Sequence, residues 1–381
     1  MTPDDQRRST QPPGSFRIGS LVGVDVYVRA SWIVIAVLIA ALLAPRIESV
    51  EPDLGVWKYV AGFGFAVLLY GSILLHEMSH AVMAKRVGLK VRSISLQFLG
   101  GATEIEGEAK TAAQEFKIAV VGPLTSIAVG LLGLLVLLAD PQGLTRLAVE
   151  GIAGANLVVG VLNLVPGLPL DGGRVLRAAV WQAKGNMHTG TIVAGWGGRA
   201  IAGLALIWPA FSKQFTGVEP DLYDYLFAAV VGAFLWSGAS ASMTNARIRQ
   251  RLPALQARRL ARRVVAVPDD LPVSEAVRRA QDASAGGLVV TTGNGTLASI
   301  VNETALLSVP EERRPWVPVS SVARSLSEGL VISADLAGED LIRAMAHTPA
   351  SEYLLVEPDG ALYGLLASTD VDAAFEAGAR R

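Results

Sequence analysis

The sequence predicts a polytopic α-helical membrane protein of about six transmembrane helices with a short membrane-associated β-hairpin, followed by a soluble α/β module built from two repeats. Three observations predict it. Of 381 residues 51% are apolar and only 18% charged. The apolar excess is concentrated in residues 32–245, where long uncharged runs recur. From Arg247 to Arg381 the composition is that of ordinary charged soluble protein, and this stretch repeats itself.

The elements follow in chain order. The first 29 residues carry Arg7, Arg8, Arg17, Asp25 and Arg29, and no small-residue cleavage pattern follows the first apolar run, so they read as a retained polar tail. Uncharged windows cover residues 30–45, 59–75, 118–139, 151–170 and 226–246, against a need for roughly 20 residues to cross hydrocarbon. The second window is long enough only if it runs on through His76 and His80, which places polar groups in a bilayer helix, where they need a function. A sixth span covers about residues 193–212, with Arg199 near its start, where the side chain can reach the interface. Trp32, Trp57, Trp196 and Trp236 fall at or near the interfaces as aromatic anchors.

Lys and Arg cluster before span one and after spans two, four and six; the opposite loops hold only Arg46, Lys58, Arg146 and Lys213. Both termini and the C-terminal module are therefore expected on the cytoplasmic face of the cell membrane. Between spans two and three, Ile94, Leu96 and Phe98 alternate with Ser93, Ser95 and Gln97 before a turn at Gly100-Gly101. An edge strand here would hold an unwound substrate through backbone hydrogen bonds. Gly122-Pro123, with Thr125, Ser126 and Gly130, opens span three with small residues suited to close helix packing.

The composition excludes several chemistries. With 33 basic and 34 acidic residues, nothing points to nucleic acid as a partner. The absence of cysteine rules out thiol catalysis and thiolate metal sites. What remains is His76-Glu77-Met78-Ser79-His80, an H-E-x-x-H string with its two imidazoles on one helix face. Two such imidazoles grip one ion, and Glu77 can take a proton from activated water, which is metal-assisted peptide hydrolysis. A catalytic zinc needs a third protein ligand. His188 lies in a short loop and His347 in the soluble module, so both are poor candidates; the better one is Asp171, after Pro166 and Pro169 at the end of span four. At 1.5 Å per residue His76 lies roughly 26 Å along span two and Asp171 roughly 30 Å along span four, so both reach one membrane face. Asn163 is placed to offer an amide hydrogen to the substrate backbone or a developing oxyanion.

His76-Glu77-x-x-His80 together with Asn163-x-x-Pro166-x-x-x-Leu170-Asp171-Gly172 resembles the site-2 protease family of intramembrane zinc metalloproteases, peptidase family M50. The resemblance covers residues 22–249 and takes in Gly100-Gly101 and Gly122-Pro123. It implies one Zn(2+) on His76, His80 and Asp171, Glu77 as the catalytic acid/base, and Asn163 as a substrate contact. It also implies single-pass membrane proteins as substrates, cut within the bilayer near the cytoplasmic face, anti-sigma factors among them. The competing classes are a membrane transporter or channel gated by the C-terminal module and an inactive protease-like scaffold. The intact set of His76, Glu77, His80 and Asp171 separates the first reading from both.

Residues 250–261 read as a linker. Beyond it Leu271 aligns with Leu336, Val277 with Ile342 and Gly295 with Gly360 at one constant offset. Each copy reads as helix, strand, Asn294-Gly295 or Asp359-Gly360 turn, strand and short helix. The pattern is similar to a tandem pair of cystathionine-beta-synthase (CBS) domains, residues 262–320 and 321–381. That resemblance implies a regulatory tail that binds adenine nucleotide or joins two chains in a homodimer. The strand-end threonine of that family is missing from both copies and the aspartate from the first. Packing or dimerisation is thereby favoured over nucleotide, and Asp370 is the one residue assigned to a ribose contact.

Overall fold

Long uncharged stretches punctuated by a few capping residues dictate the N-terminal architecture. The computed structural model describes residues 14–97, 100–293 and 296–377. They divide into two compact units, one ending at Ala246 and the other beginning at Arg247. The first holds seven helices: α1 (Ser31–Val50), α2 (Trp57–Arg86), α3 (Ala112–Leu137), α4 (Gly143–Asn163), α5 (Asp171–Lys184), α6 (Met187–Thr216) and α7 (Leu222–Arg251). Six of them, all but α5, are long and apolar enough to cross a membrane, so this unit is a polytopic membrane body. Thr111 caps α3 by accepting the Gln114 N–H, and Asn186 caps α6 by accepting those of His188 and Thr189. Gly217 ends α6 in the left-handed conformation that glycine adopts without strain.

The polar-tail reading of the first 29 residues needs correction. Residues 15–29 form β1 (Ser15–Leu21) and β2 (Val24–Arg29), which join β3 (Lys90–Gln97) and β4 (Gly100–Glu106) in one sheet ordered β1-β2-β3-β4. β2 runs parallel to β3, with Val26 opposite Ile94, and β3 runs antiparallel to β4. Val24 and Ile94 are buried against Ala81 of α2, so the sheet is fastened to the helix that carries the histidines. Lys85, near the end of α2, donates to the carbonyls of Val22 and Gly23 and ties the β1-β2 turn to the same helix.

The second unit repeats one topology. β5 (Val264–Pro268), α8 (Val273–Asp282), β6 (Gly287–Thr291), β7 (Leu297–Val301) and α9 (Glu303–Leu307) are followed, after β8 (Ala323–Ser325), by a second series. That series is β9 (Val331–Ser333), α10 (Gly338–His347), β10 (Glu352–Val356), β11 (Leu362–Ala367) and α11 (Ser368–Ala377). In each series the middle strand pairs parallel with the one before the helix and antiparallel with the one after it. The leading strands β5 and β9 are additions to the sequence reading. The Asn294-Gly295 turn lies outside the described residues.

Candidate metal centre

α2 runs unbroken for 30 residues, so His76 and His80 sit one turn apart on its buried face. The third candidate ligand arrives differently from the expectation of a carboxylate at the end of span four. The fourth spanning helix stops at Asn163, residues 164–170 turn, and Asp171 is the first residue of the separate helix α5. Pro166 and Pro169 explain the break, since neither can continue a helix. The loop is held in the body by the Leu168 N–H, which donates to the Ala194 carbonyl of α6.

The three donor atoms form a nearly equilateral triangle. His76 Nε2 lies 3.1 Å and His80 Nε2 3.3 Å from Asp171 Oδ2, and the two Nε2 atoms are 3.2 Å apart. Donors about 2.05 Å from a tetrahedral zinc stand about 3.3 Å from one another, so the triangle has the size zinc requires. The imidazoles are also set in orientation. His80 Nδ1–H donates to the Ile118 carbonyl at 2.6 Å, which leaves the neutral ring's Nε2 lone pair facing the other two donors. His76 Nδ1 pairs with Ser126 Oγ at 2.9 Å. Gly122 packs directly against the imidazoles: a Cβ there would lie 2.2 Å from His80 Nε2 and 2.7 Å from His76 Nε2. Any side chain at position 122 would therefore crowd both imidazole nitrogens.

Glu77 is half-buried beside the triangle. Its Oε2 accepts the Thr103 hydroxyl at 2.7 Å, and a Cβ on Gly101 would come within 2.3 Å of its Cγ, so β4 approaches Glu77 as closely as backbone can. The substrate-strand expectation changes accordingly. Ile94 and Leu96 are buried in β3, whose two edges are both taken, by β2 and β4. Among the described strands the outer positions belong to β1 and β4; β4, the one beside Glu77, starts at Gly100 and Gly101, and Phe98 lies outside the described residues. Asn163 is half-buried at the last position of α4.

Sequence reasoning missed the ion network behind the third ligand. Glu115 is buried at the start of α3 and accepts from Arg174 Nε at 2.9 Å and from Arg177 Nη2. Arg174 Nη1 stands 4.0 Å from Asp171 Oδ1. A carboxylate at this depth needs cations, and Arg174 and Arg177, spaced i and i+3 on α5, were the available signal. In the second unit Asp370 is engaged on both oxygens by Arg262, at 2.6 and 2.8 Å. The Arg262 guanidinium also binds Glu303, and these anions raise its pKa above the ordinary arginine value.

Comparison with known proteins places these features in a family. The model of peptidase family M50 matches residues 64–149 and 142–201. The "Putative zinc metalloprotease Rip3" of Mycobacterium tuberculosis (strain Erdman) is 30% identical over 366 residues, covering 93% of this chain and 91% of that protein. The chain belongs to peptidase family M50. A solved "Site-2 Protease from Methanocaldococcus jannaschii" aligns with 60% of the chain and 95% of its own length, at 24% identity and a TM-score of 0.41. The C-terminal unit is similar to the "CBS-domain containing protein ATU1752 from Agrobacterium tumefaciens", at 22% identity over 32% of this chain and 93% of that one, with a TM-score of 0.26. The family model spans the helices that carry His76, Glu77, His80 and Asp171.

Proposed function

We propose that this chain is a zinc-dependent intramembrane endopeptidase that hydrolyses peptide bonds in or near the transmembrane segment of single-pass membrane proteins. The observation that carries this reading is the triangle of two imidazole nitrogens and one carboxylate oxygen at zinc spacing, with Glu77 beside it. Zinc held by His76, His80 and Asp171 supplies Lewis-acid activation of water and of the scissile carbonyl.

The chain's own residues supply the rest. Glu77 takes the proton of the attacking water on its carboxylate and returns it to the leaving amine nitrogen. Thr103 Oγ–H holds Glu77 Oε2, which leaves Oε1 to work on the proton. The unpaired edge of β4 offers backbone donors and acceptors to an extended substrate segment, and a helix must unwind to use them. Asn163 is assigned to the substrate backbone or the oxyanion. The excess of Lys and Arg in alternate loops supports a cytoplasmic position for both termini and the C-terminal unit. That unit is assigned a CBS-type regulatory or homodimerising role. With Asp370 committed to Arg262, adenine nucleotide on it requires that ion pair to open.

Glu77→Gln tests the reading in proteoliposomes holding a single-span substrate. The variant keeps one zinc per chain and loses cleavage by a factor of about 10²–10⁴. Cleavage at the wild-type rate would overturn the mechanism.

A further inference from the structure

A guanidinium within a membrane-spanning helix carries a full charge that hydrocarbon does not solvate, so something anionic has to meet it. Arg199 of α6 is such a group. Its Nε and Nη2 donate to Ser240 Oγ of α7 at 3.3 and 3.0 Å. Its guanidinium carbon stands 5.0 Å from the ring centre of Trp196 and 4.9 Å from that of Trp236. A hydroxyl and two indole faces hold the cation in place without neutralising it. α6 contains no Asp or Glu, and the single acid of α7, Asp224, lies near the opposite end of that helix. Asp171 faces the two histidines and Glu115 binds Arg174 and Arg177. Among the described residues Arg199 has no carboxylate partner, and Nη1 has no protein acceptor.

Depth decides what meets it. Counting 1.5 Å per residue, Arg199 lies about 21 Å from Lys213 at the opposite end of α6, and Ser240 lies about 21 Å from Leu226, where the last apolar window begins. The hydrocarbon is about 30 Å thick, so Arg199 branches from the far leaflet and its long side chain extends toward the phosphates. His76 lies about 28 Å from Trp57 on the same count, which places the cation in the leaflet of the metal centre. Trp196 and Trp236 are 55% and 47% exposed, as aromatic residues at a headgroup boundary are.

We propose that Arg199, clamped between Trp196 and Trp236, binds the phosphate of an anionic phospholipid in that leaflet. The fork of Arg199 donates to the phosphate oxygens, and the indoles keep its plane facing the headgroup.

The test is native mass spectrometry of the full chain released from nanodiscs of equimolar phosphatidylglycerol and phosphatidylcholine. The wild-type protein is expected to retain phosphatidylglycerol about tenfold over phosphatidylcholine. Arg199→Gln abolishes the preference while metal content, measured on the same sample, stays unchanged. Arg199→Lys, which keeps the charge and loses the planar fork, retains part of it. Millimolar inorganic phosphate leaves the lipid in place. Equal retention of the two lipids by wild-type protein would overturn the proposal without recourse to any variant. So would an undiminished preference in Arg199→Gln, or displacement by phosphate, which would mark a site for free anions.

Discussion

Along the membrane helices most buried apolar side chains are small, Ala36, Ala40, Ala44, Ala66, Ala84, Ala119, Ala153, Ala194 and Ala202 among them, with Ile47, Ile118 and Met243 as larger exceptions. In the C-terminal unit they are large, among them Leu330, Leu341, Tyr353, Leu355 and Leu366. The difference follows from the solvent. Lipid tails are as apolar as leucine, so a large side chain gains little by turning inward, and helices associate through close contact of small residues. Leu132 and Leu135 of α3 accordingly stay 64% and 65% exposed. In water the same residues are driven inside, and the C-terminal repeats are built on that drive. An interior lined by small residues also leaves room for function. The buried polar set of the membrane body includes His76, His80, Ser72, Ser126, Glu115 and Asn156, held by hydrogen bonds among themselves, to backbone, to Asp171 or to Arg174 and Arg177.

Adding one methyl where the body is most closely packed should produce the largest effect. Gly122→Ala places a Cβ in the space between the two Nε2 atoms. Metal content is expected to fall more than tenfold while helicity by circular dichroism persists, because the loss is steric at the donors. A variant that binds zinc normally would show that the donors stand elsewhere. A matched pair of truncations comes next. Leu355→Ala, fully buried in β10, is expected to destabilise the C-terminal unit by about 2–5 kcal/mol in chemical denaturation. Leu132→Ala on the lipid face should cost within about 0.5 kcal/mol. Similar costs for the two would erase the contrast drawn between lipid and water.

The smallest effect is electrostatic and confined to the second unit. The hydrogen bonds from Arg258 hold the Glu357 carboxyl below its ordinary value. A depressed carboxyl contributes stability that is complete above its unfolded pKa and is lost as pH falls through the folded value. Acid titration of the thermal midpoint is therefore expected to show a shallow decline below about pH 4.5 that Glu357→Gln removes. The pair is exposed, so 1 M salt should flatten the decline as well.

The legible parts of this protein were those whose signal is local. Recurring apolar stretches declare their surroundings by composition and length, the H-E-x-x-H spacing fits one helix face, and the repeat shows itself by alignment within the chain. Asp171 could be chosen from its shared depth with the histidines, but its origin at the start of a separate helix could not be read. What only the tertiary structure decided are relations between distant segments. Residues 15–29 read as a tail because their alternation is short, and they become strands only when β3 arrives to pair with them. β3 read as an edge because its partners on both sides come from elsewhere in the chain or lie past its own turn. Glu115 meets Arg174 and Arg177, and Thr103 meets Glu77, across gaps that no periodicity encodes. Periodicity records which solvent a segment faces, and the identity of the partner is settled only when the chain closes on itself.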